Sequence, residues 1–443
     1  MNSDNKQNYS LWKRYYYNYL ESFTGFIVHS TAKSFHIDVS TAIKSLESGD
    51  QKFFKENKSE AYDYIVANDV LGYVHNIEDF FRDAKANLTN DGRIFITQYS
   101  ALWEPIMRLA SNLGLRRGLI EQNWLSRSDL KNFSYLAGLD VVKSGTKMLM
   151  PIYIPFISYF LNNIIANIWP FTHLGLFHYI VVRKAGVSIF ENKPSISIVV
   201  PARNEAGTIE KIVKELPSLG SFTEIILIEG NSTDNTWDEI QRVAKMMEKD
   251  NGTVGLSGMA GKRIKIGRQA GKGKGDAVRM GFDMAEGDIL AIYDADMTVP
   301  AESISRFYDV MVENKADFVN GSRLVYPLQK ESMRILNYFG NKFFSLAFSW
   351  ILSQQLKDTL CGTKVLRKKD YEKIKRNRAF FGDFDPFGDF DLLFGAAKLN
   401  LKIVDLPIHY QERIYGSTNI SRWKHGWLLL RMTTFAARKI RFI

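Results

Sequence analysis

The chain has 443 residues and a mass of 50.8 kDa, enough for roughly two or three domains. Hydrophobic residues at 45% and charged residues at 24% exclude wholesale disorder, and a single cysteine, Cys361, excludes a disulfide framework and suits a reducing compartment. Lys and Arg outnumber Asp and Glu by 58 to 48, a net charge of +10, so the expected partner is anionic: a nucleotide, a phosphorylated lipid, a membrane surface or a nucleic acid.

Residues 1–19 are polar and aromatic and lack the apolar stretch of a secretory signal. YDYIVANDVLGYV (62–74) and RIFITQYS (93–100) read as buried strands, with the helical segment IEDFFRDAKANL between them and TNDG as the turn. DVVKSGTKMLM (140–150) and LFHYIVVRK (176–184) read as an antiparallel edge pair. Met148 to Val182 contains no Lys, Arg, Asp or Glu, and its 35 residues are long enough to span a bilayer. Pro151, Pro155 and Pro170 interrupt it, and Asn162, Asn163 and Asn167 would each need a partner in lipid, so buried or interfacial packing is expected instead.

KAGVSIFENKPS is short, polar and carries Gly and Pro, and marks a linker over 185–194 between a first domain at 1–184 and a second at 195–443. In the second domain, strand ISIVVPARNE (196–205) precedes helical TIEKIVKELPSL. Strand EIILIEG (224–230), the turn NSTDNT and helical WDEIQRVAKMMEK follow. RIKIGRQ (263–269), a glycine-rich loop, helical DAVRMGFDMA and strand DILAIYDAD (288–296) complete the pattern. Short apolar strands alternating with helices indicate an α/β fold whose ligand sits beyond the carboxyl ends of the strands.

The chemistry therefore belongs to the residues after each strand. Asp294 and Asp296 close a strand, and two carboxylates two residues apart can share Mg2+ or Mn2+ bridging to a diphosphate; a solvated pair of turn aspartates is the alternative. Gly271-Lys272-Gly-Lys274-Gly-Asp276 opens a helix, where glycines admit a close backbone approach and the N-terminus favours phosphate. It lacks the Gly-Lys-Ser/Thr of a Walker A loop, and a flexible basic turn is the plainer reading. Residues 262–279 carry seven Lys or Arg against one acid. Pro201-Ala202-Arg203-Asn204-Glu205 and Glu229 end the first two strands, where acids can accept hydrogen bonds from a nucleobase or ribose, or serve as helix caps.

Taken together, ISIVVPARNEAGTIE, EIILIEGNSTDNTWDEI, GKGKGDAVRMGF, GDILAIYDADMTVPAE, FVNGSRLVYP, DTLCGTKVLRKKDYEKI and FGDFDLLFGAAKLNLKIVDLPIHYQERIYGSTNISR resemble the family-two glycosyltransferases over residues 194–431. The dolichyl-phosphate mannose synthase and polyprenyl-phosphate sugar transferase branch is the most similar. The resemblance implies a GT-A nucleotide-diphospho-sugar transferase fold, with Pro201, Ala202, Arg203 and Glu205 lining the nucleotide. Glu229 stands where the family usually has an aspartate, and Gly230 where a second is common. Asp294 and Asp296 match the metal pair, while Arg413 and Ser417 match positions that close over phosphates. The lysine some relatives carry near Asn419 is missing, leaving that charge to Arg422 or to nothing. An acceptor phosphate needs no strong base; a hydroxyl acceptor would, and Asp391 or Asp389 is the candidate, with a structural role at a helix start as the alternative.

Residues 58–184 resemble the later part of a class I SAM-dependent methyltransferase, through YDYIVANDVLGYVHNIEDFF, LTNDGRIFITQYSALWEP and NWLSRSDLKNFSYLAGLDVV. The glycine-rich turn such enzymes place after their first strand is missing, and FTGFIVHSTAKSFHIDVS supplies only Gly25. Asp38 matches the ribose-binding acid as a remnant. An incomplete Rossmann-like scaffold or docking domain is expected, without SAM. From Arg413 onward there are seven Lys or Arg and no acid, and the tail WLLLRMTTFAARKIRFI and LNYFGNKFFSLAFSWIL (336–352) have the amphipathic character of interfacial helices, or of core ones.

The reading is a metal-dependent glycosyltransferase using a nucleotide-diphospho-sugar donor and a lipid-phosphate acceptor, peripheral on the cytoplasmic face of a membrane. The alternative is a bifunctional or SAM-dependent methyltransferase with an accessory sugar-binding or transferase module. Nucleic acid is not an expected partner, since no motif supports it.

Overall fold

The computed structural model describes residues 11–48, 53–54, 61–113, 122–250, 261–326, 335–380, 390–413, 415 and 422–443. The chain divides into two compact units, residues 1–187 with 438–443, and 188–437.

The first unit begins with α1 (Leu11–Ile27), β1 (Ser34–Ile37), α2 (Val39–Ser48) and β2 (Tyr62–Asn68). Then come α3 (Ile77–Ala86), β3 (Leu88–Tyr99), α4 (Glu104–Asn112), α5 (Arg127–Leu136) and β4 (Leu139–Lys147). The one-turn α6 (Ile157–Tyr159) and β5 (Phe177–Lys184) complete it. The sheet order is β1-β2-β3-β5-β4. Strands β1, β2 and β3 are parallel and β5 is antiparallel to both neighbours, so the expected edge pair is present with β4 outermost. The expected TNDG turn is instead part of β3, where the register against β2 shifts and the extra residues are absorbed without breaking the strand.

Alternation along these strands feeds two cores. Ile65, Ile94, Ile96 and Val182 face Phe80 and Phe81 of α3, while Val66, Phe95 and Val181 face Tyr16, Leu20 and Phe23 of α1. Helix α3 starts where the Asn76 side chain accepts from the backbone N–H groups of Glu78 and Asp79, and α5 starts on a capping box between Ser126 and Asp129.

The uncharged stretch after β4 forms short turns, and no helix among the described residues is long and apolar enough to cross a membrane. Its amides explain why. Asn162 accepts from the N–H groups of Leu149 and Met150 at 2.9 and 2.8 Å and donates to Met150 O at 2.8 Å. Asn167 accepts from Lys147 Nζ at 2.9 Å and donates to Asn163 O at 2.8 Å. These bonds fold the stretch on itself. Lys147 also donates to Arg441 O at 3.1 Å, so the end of the chain is part of this unit.

The second unit runs β6 (Ile196–Ala202), α7 (Ile209–Glu215), β7 (Thr223–Glu229), α8 (Thr236–Asp250), β8 (Lys262–Arg268), α9 (Lys274–Met284) and β9 (Ile289–Ile292). It continues with α10 (Ser303–Val312), β10 (Phe318–Ser322), α11 (Ile335–Leu352), β11 (Lys364–Arg367), α12 (Lys368–Arg376), α13 (Phe390–Lys398), β12 (Ile403–Pro407) and α14 (Arg422–Ala436). Its seven strands lie in the order β12-β10-β11-β9-β6-β7-β8, and only β11 runs against the rest. Ile196, Ile198 and Val200 of β6 are fully buried among Ile225, Leu227, Ile289 and Ala291, as continuous apolar runs between helical layers require. The α/β expectation holds in both units. In α14, Leu429 and Met432 are buried while Trp427 is exposed, so part of the expected interfacial tail is core.

Candidate functional site

The parallel strands β6, β7 and β9 end on one edge of the second sheet. Register places Ala202 beside Glu229 and Val199 beside Ile292, so the loops carrying Arg203 to Glu205, Gly230 to Asp234 and Tyr293 to Asp296 leave the sheet together. Asn204, Asn231 and Met297 take φ values of 56°, 58° and 53°, the left-handed turns that bring these loops back across the strand ends. Side chains lock them: Asn204 N–H donates to Ser232 Oγ at 3.0 Å, Thr233 N–H to Asn204 Oδ1 at 2.7 Å, and Glu205 N–H to Thr236 Oγ1 at 3.0 Å.

Each aspartate of the Asp294/Asp296 pair has a cation. Lys274 Nζ lies 2.6 Å from Asp294 Oδ1. Arg413 reaches Asp296 Oδ2 at 2.9 Å through one nitrogen and Glu205 Oε1 at 2.5 Å through the other. Asp296 Oδ1 also accepts from Thr298 N–H at 3.2 Å and Thr298 Oγ1 at 2.8 Å. Burial would raise Asp294, but the Lys274 ammonium, with Lys364 and Arg323 behind it, holds its carboxyl below the ordinary value. Burial, then repulsion from Asp294, raises Asp296 in spite of Arg413. Burial pushes Glu205 up to about 7, with Asp296 and Asp234 adding to the effect and Arg413 opposing it. Glu205 Oε2 is buried without a hydrogen-bond partner.

The glycine-rich loop meets the pair through Lys274, the first residue of α9. Gly273 makes the turn at φ 86°, and Asp276 closes it by accepting from Gly271 N–H at 2.9 Å. Lys272 is exposed. Gly362 packs against the same ion pair, and a Cβ there would lie 2.0 Å from Asp294 Oδ2 and 2.2 Å from Lys274 Nζ.

The basic run at 262–279 is mostly structural. Lys262 donates to Val213 O at 2.9 Å, Lys265 pairs with Glu224 at 2.7 Å and Glu286 at 2.6 Å, and Arg263 stacks on Phe222. Arg268 pairs with Glu229 at 3.1 Å, and the other Glu229 oxygen accepts from Ser232 N–H at 2.5 Å. Glu229 thus braces its own loop, while Pro201 is half-buried, Ala202 buried and Arg203 exposed beside it. Asp391, in the first turn of α13, lies 3.9 Å from Arg279 and 3.6 Å from Arg378. Asp389 and Ser417 lie outside the described residues, as does the side chain of Arg422.

Two residues of this network, Thr298 and Gly362, escaped the sequence reading, as did the partner of Arg268. Thr298 was legible as a hydroxyl two residues after Asp296. Arg268 needed the β7–β8 register, which sets it opposite Glu229. Gly362 had no local signal.

The residues fit a divalent cation. Two carboxylates supply hard oxygen donors at one strand end, and Glu205 brings a third acid against Asp296 with an oxygen unpartnered. Lys274 and Arg413 balance charge that a cation would share. Among the described residues no group of three or more His, Cys, Asp or Glu could hold a metal ion by itself, so an ion at the aspartate pair would need substrate oxygens and water to complete its shell.

Residues 197–375 match the family model described as Glycosyl transferase family 2, and residues 23–144 match one described as a Methyltransferase domain. Among curated proteins, the chain is 27% identical over 237 residues to glycosyltransferase AglJ of Haloferax volcanii, covering 53% of this chain and 69% of that protein. It is 24% identical over 259 residues to dolichol-phosphate mannosyltransferase of Pyrococcus furiosus, covering 56% and 67%. Among solved structures, glucosyl-3-phosphoglycerate synthase from Mycobacterium tuberculosis aligns with a TM-score of 0.39 and 16% identity, over 56% of this chain and 80% of that one. The GT-A expectation for the second domain agrees with the family match.

Proposed function

We propose that this chain, which carries a family 2 glycosyl transferase domain at 197–375 and a methyltransferase-family domain at 23–144, transfers a sugar from a nucleotide-diphospho-sugar to a polyprenyl phosphate at the cytoplasmic face of a membrane. The observation that carries this reading is the Asp294/Asp296 pair at the end of β9, each carboxylate held by a cation from a different loop. The acceptor is supported by similarity to a relative named for transfer to dolichol phosphate.

Asp294 and Asp296 would hold Mg2+ or Mn2+, which supplies Lewis-acid stabilisation of the departing diphosphate. The chain's own residues do the rest. Lys274 at the start of α9, with Lys272 beside it, and Arg413 place positive charge where the leaving group gains negative charge. The glycosidic C–O bond to the nucleoside diphosphate breaks as an acceptor oxygen bonds to the anomeric carbon. A phosphate acceptor arrives already ionised, so no proton need be removed. Pro201, Ala202, Arg203 and Glu205 would line the nucleoside, Glu205 through its unpartnered oxygen, while Glu229 braces the adjoining loop. Ser417 and Arg422 would contact phosphates in this reading. Asp391, facing two guanidinium groups, serves better as a brace than as a base.

The test is product partition. Labelled sugar should pass from the donor into a chloroform-soluble, mild-acid-labile product. Label found only in a water-soluble oligosaccharide or in protein would make the acceptor assignment wrong and Asp391 or Asp389 the base to examine.

The first domain, expected at 1–184 and holding the chain end at 438–443 as well, serves in this reading as a scaffold or docking domain joined by 185–194 to a transferase domain that ends at 437 rather than 443. The methyltransferase reading has the match at 23–144 in its favour. Against it, Tyr16 of α1 is fully buried over the carboxyl ends of β2 and β3, donating to Asp69 Oδ2 at 2.6 Å and stacking on Tyr99. A ligand of such a sheet would need that space.

A further inference from the structure

The first unit contains an open cavity of about 350 Å³ that neither the sugar-transfer chemistry nor the methyltransferase likeness uses. Its wall includes Ser126, Arg127 and Lys131 from the start of α5, Thr146 near the end of β4, His178 near the start of β5, and His173 from the turn before β5. No acid lines it. The nearest in sequence, Asp129, is committed to Ser126 N–H at 2.8 Å. Among the described residues neither Arg127 nor Lys131 has an acidic partner. His178 is 8% exposed, faces the cavity, and has an Nδ1 without a hydrogen-bond partner. A helix N-terminus, two unpaired cations and a buried unsatisfied imidazole are therefore gathered on one cavity, an arrangement that favours an anion.

The surroundings indicate where that anion comes from. His173 ends a run of exposed apolar side chains, among them Tyr153, Phe156, Tyr159, Trp169 and Phe171. Phe156 is 90% exposed and sits at φ 61°, a strained backbone for a bulky residue. Aromatic side chains of this kind, on a stretch without a formal charge from Met148 to Val182, suit the boundary between headgroups and acyl chains.

We propose that this cavity binds the phosphate headgroup of a membrane lipid, with the aromatic ridge of 153–171 entering the interface beside it, so that the first unit is a lipid-docking module. Arg127 and Lys131 supply the charge, the start of α5 adds the positive end of its dipole, and His178 donates from its unpartnered Nδ1. Burial and the Arg127 charge hold the empty-site imidazole down at about 4, and a bound anion would relieve the second of these.

The test uses the full chain and vesicles of phosphatidylcholine with and without phosphatidic acid, read by flotation, together with calorimetric titration of inorganic phosphate. Arg127→Ala/Lys131→Ala should weaken binding to phosphatidic acid vesicles by roughly tenfold or more, from about 1 kcal/mol per basic residue, and abolish the phosphate heat. Lys131→Glu, at an exposed position that leaves folding intact, should do the same alone. Phe156→Ala/Trp169→Ala should lower vesicle binding while sparing inorganic phosphate. Equal vesicle binding by wild type and the Arg127/Lys131 variants overturns the proposal. Inorganic phosphate bound through Arg127 with no binding to phosphatidic acid vesicles overturns the lipid source. Sugar transfer is not a readout, so the outcome is separable from that of the transferase reading.

Discussion

Arg413 joins Glu205 and Asp296 across the strand ends, 2.5 Å from one carboxylate and 2.9 Å from the other, although 208 residues separate it from Glu205. One forked guanidinium thereby ties the loop after β6 to the loop after β9. Gln411 N–H donating to Thr298 O at 2.9 Å sets the approach of that segment.

Replacing Arg413 with alanine should leave two neighbouring acids without their shared counter-ion. We expect transfer to fall by roughly tenfold to a hundredfold, with a rise in KM for the nucleotide-sugar. Arg413→Lys should recover little, because the two acids are met by two separate nitrogens of a planar fork, which the single compact ammonium of lysine does not reproduce. Full recovery by lysine would show that charge alone matters there.

Asp294→Ala and Asp296→Ala should each abolish sugar transfer and metal-dependent nucleotide binding while retaining the native circular dichroism spectrum. Removing one of two hard ligands is expected to cost at least about a hundredfold in rate. Turnover at the wild-type level by either variant in excess EDTA would refute the metal assignment.

Gly362→Ala tests the packing around Lys274 and Asp294. The added Cβ would sit 2.0 Å from Asp294 Oδ2, so the ion pair must move. Activity should drop with a secondary structure that stays native, and unaltered kinetics would show that the loop yields freely.

The intact chain should not bind SAM at ordinary cellular concentrations. Gly25 is the only glycine ahead of β1 and Tyr16 fills the space at Asp69. One-to-one calorimetric binding in the low micromolar range would overturn this.

His178 gives a signed pH dependence. Its imidazole is held at about 4 in the folded chain, below the ordinary 6.5, mainly by burial and then by Arg127. Between those values the unfolded chain takes up a proton that the folded chain refuses. Stability should therefore fall as pH drops from 6.5 towards 4, by up to about 3 kcal/mol from this group. His178→Gln should flatten that part of a urea-unfolding profile measured across pH, and an unchanged slope would rule the group out.

The amino-acid sequence by itself determined the alternation of strands and helices and the placing of Asp294, Asp296, Glu205 and the Gly271–Asp276 loop after strands. These are local matters: apolar runs of strand length, acids at strand ends and glycines before a helix are set by neighbours a few residues away. The TNDG segment shows the limit: its composition favours a turn, but pairing with β2 draws it into β3. Only the tertiary structure decided that Lys274, not the whole basic run, faces the aspartates, that Glu229 is spent on Arg268 and Ser232, and that Tyr16 occupies the carboxyl edge of the first sheet. A charge acquires its role from what lies across from it. That depends on strand register and loop return over dozens to hundreds of residues, which no local pattern encodes.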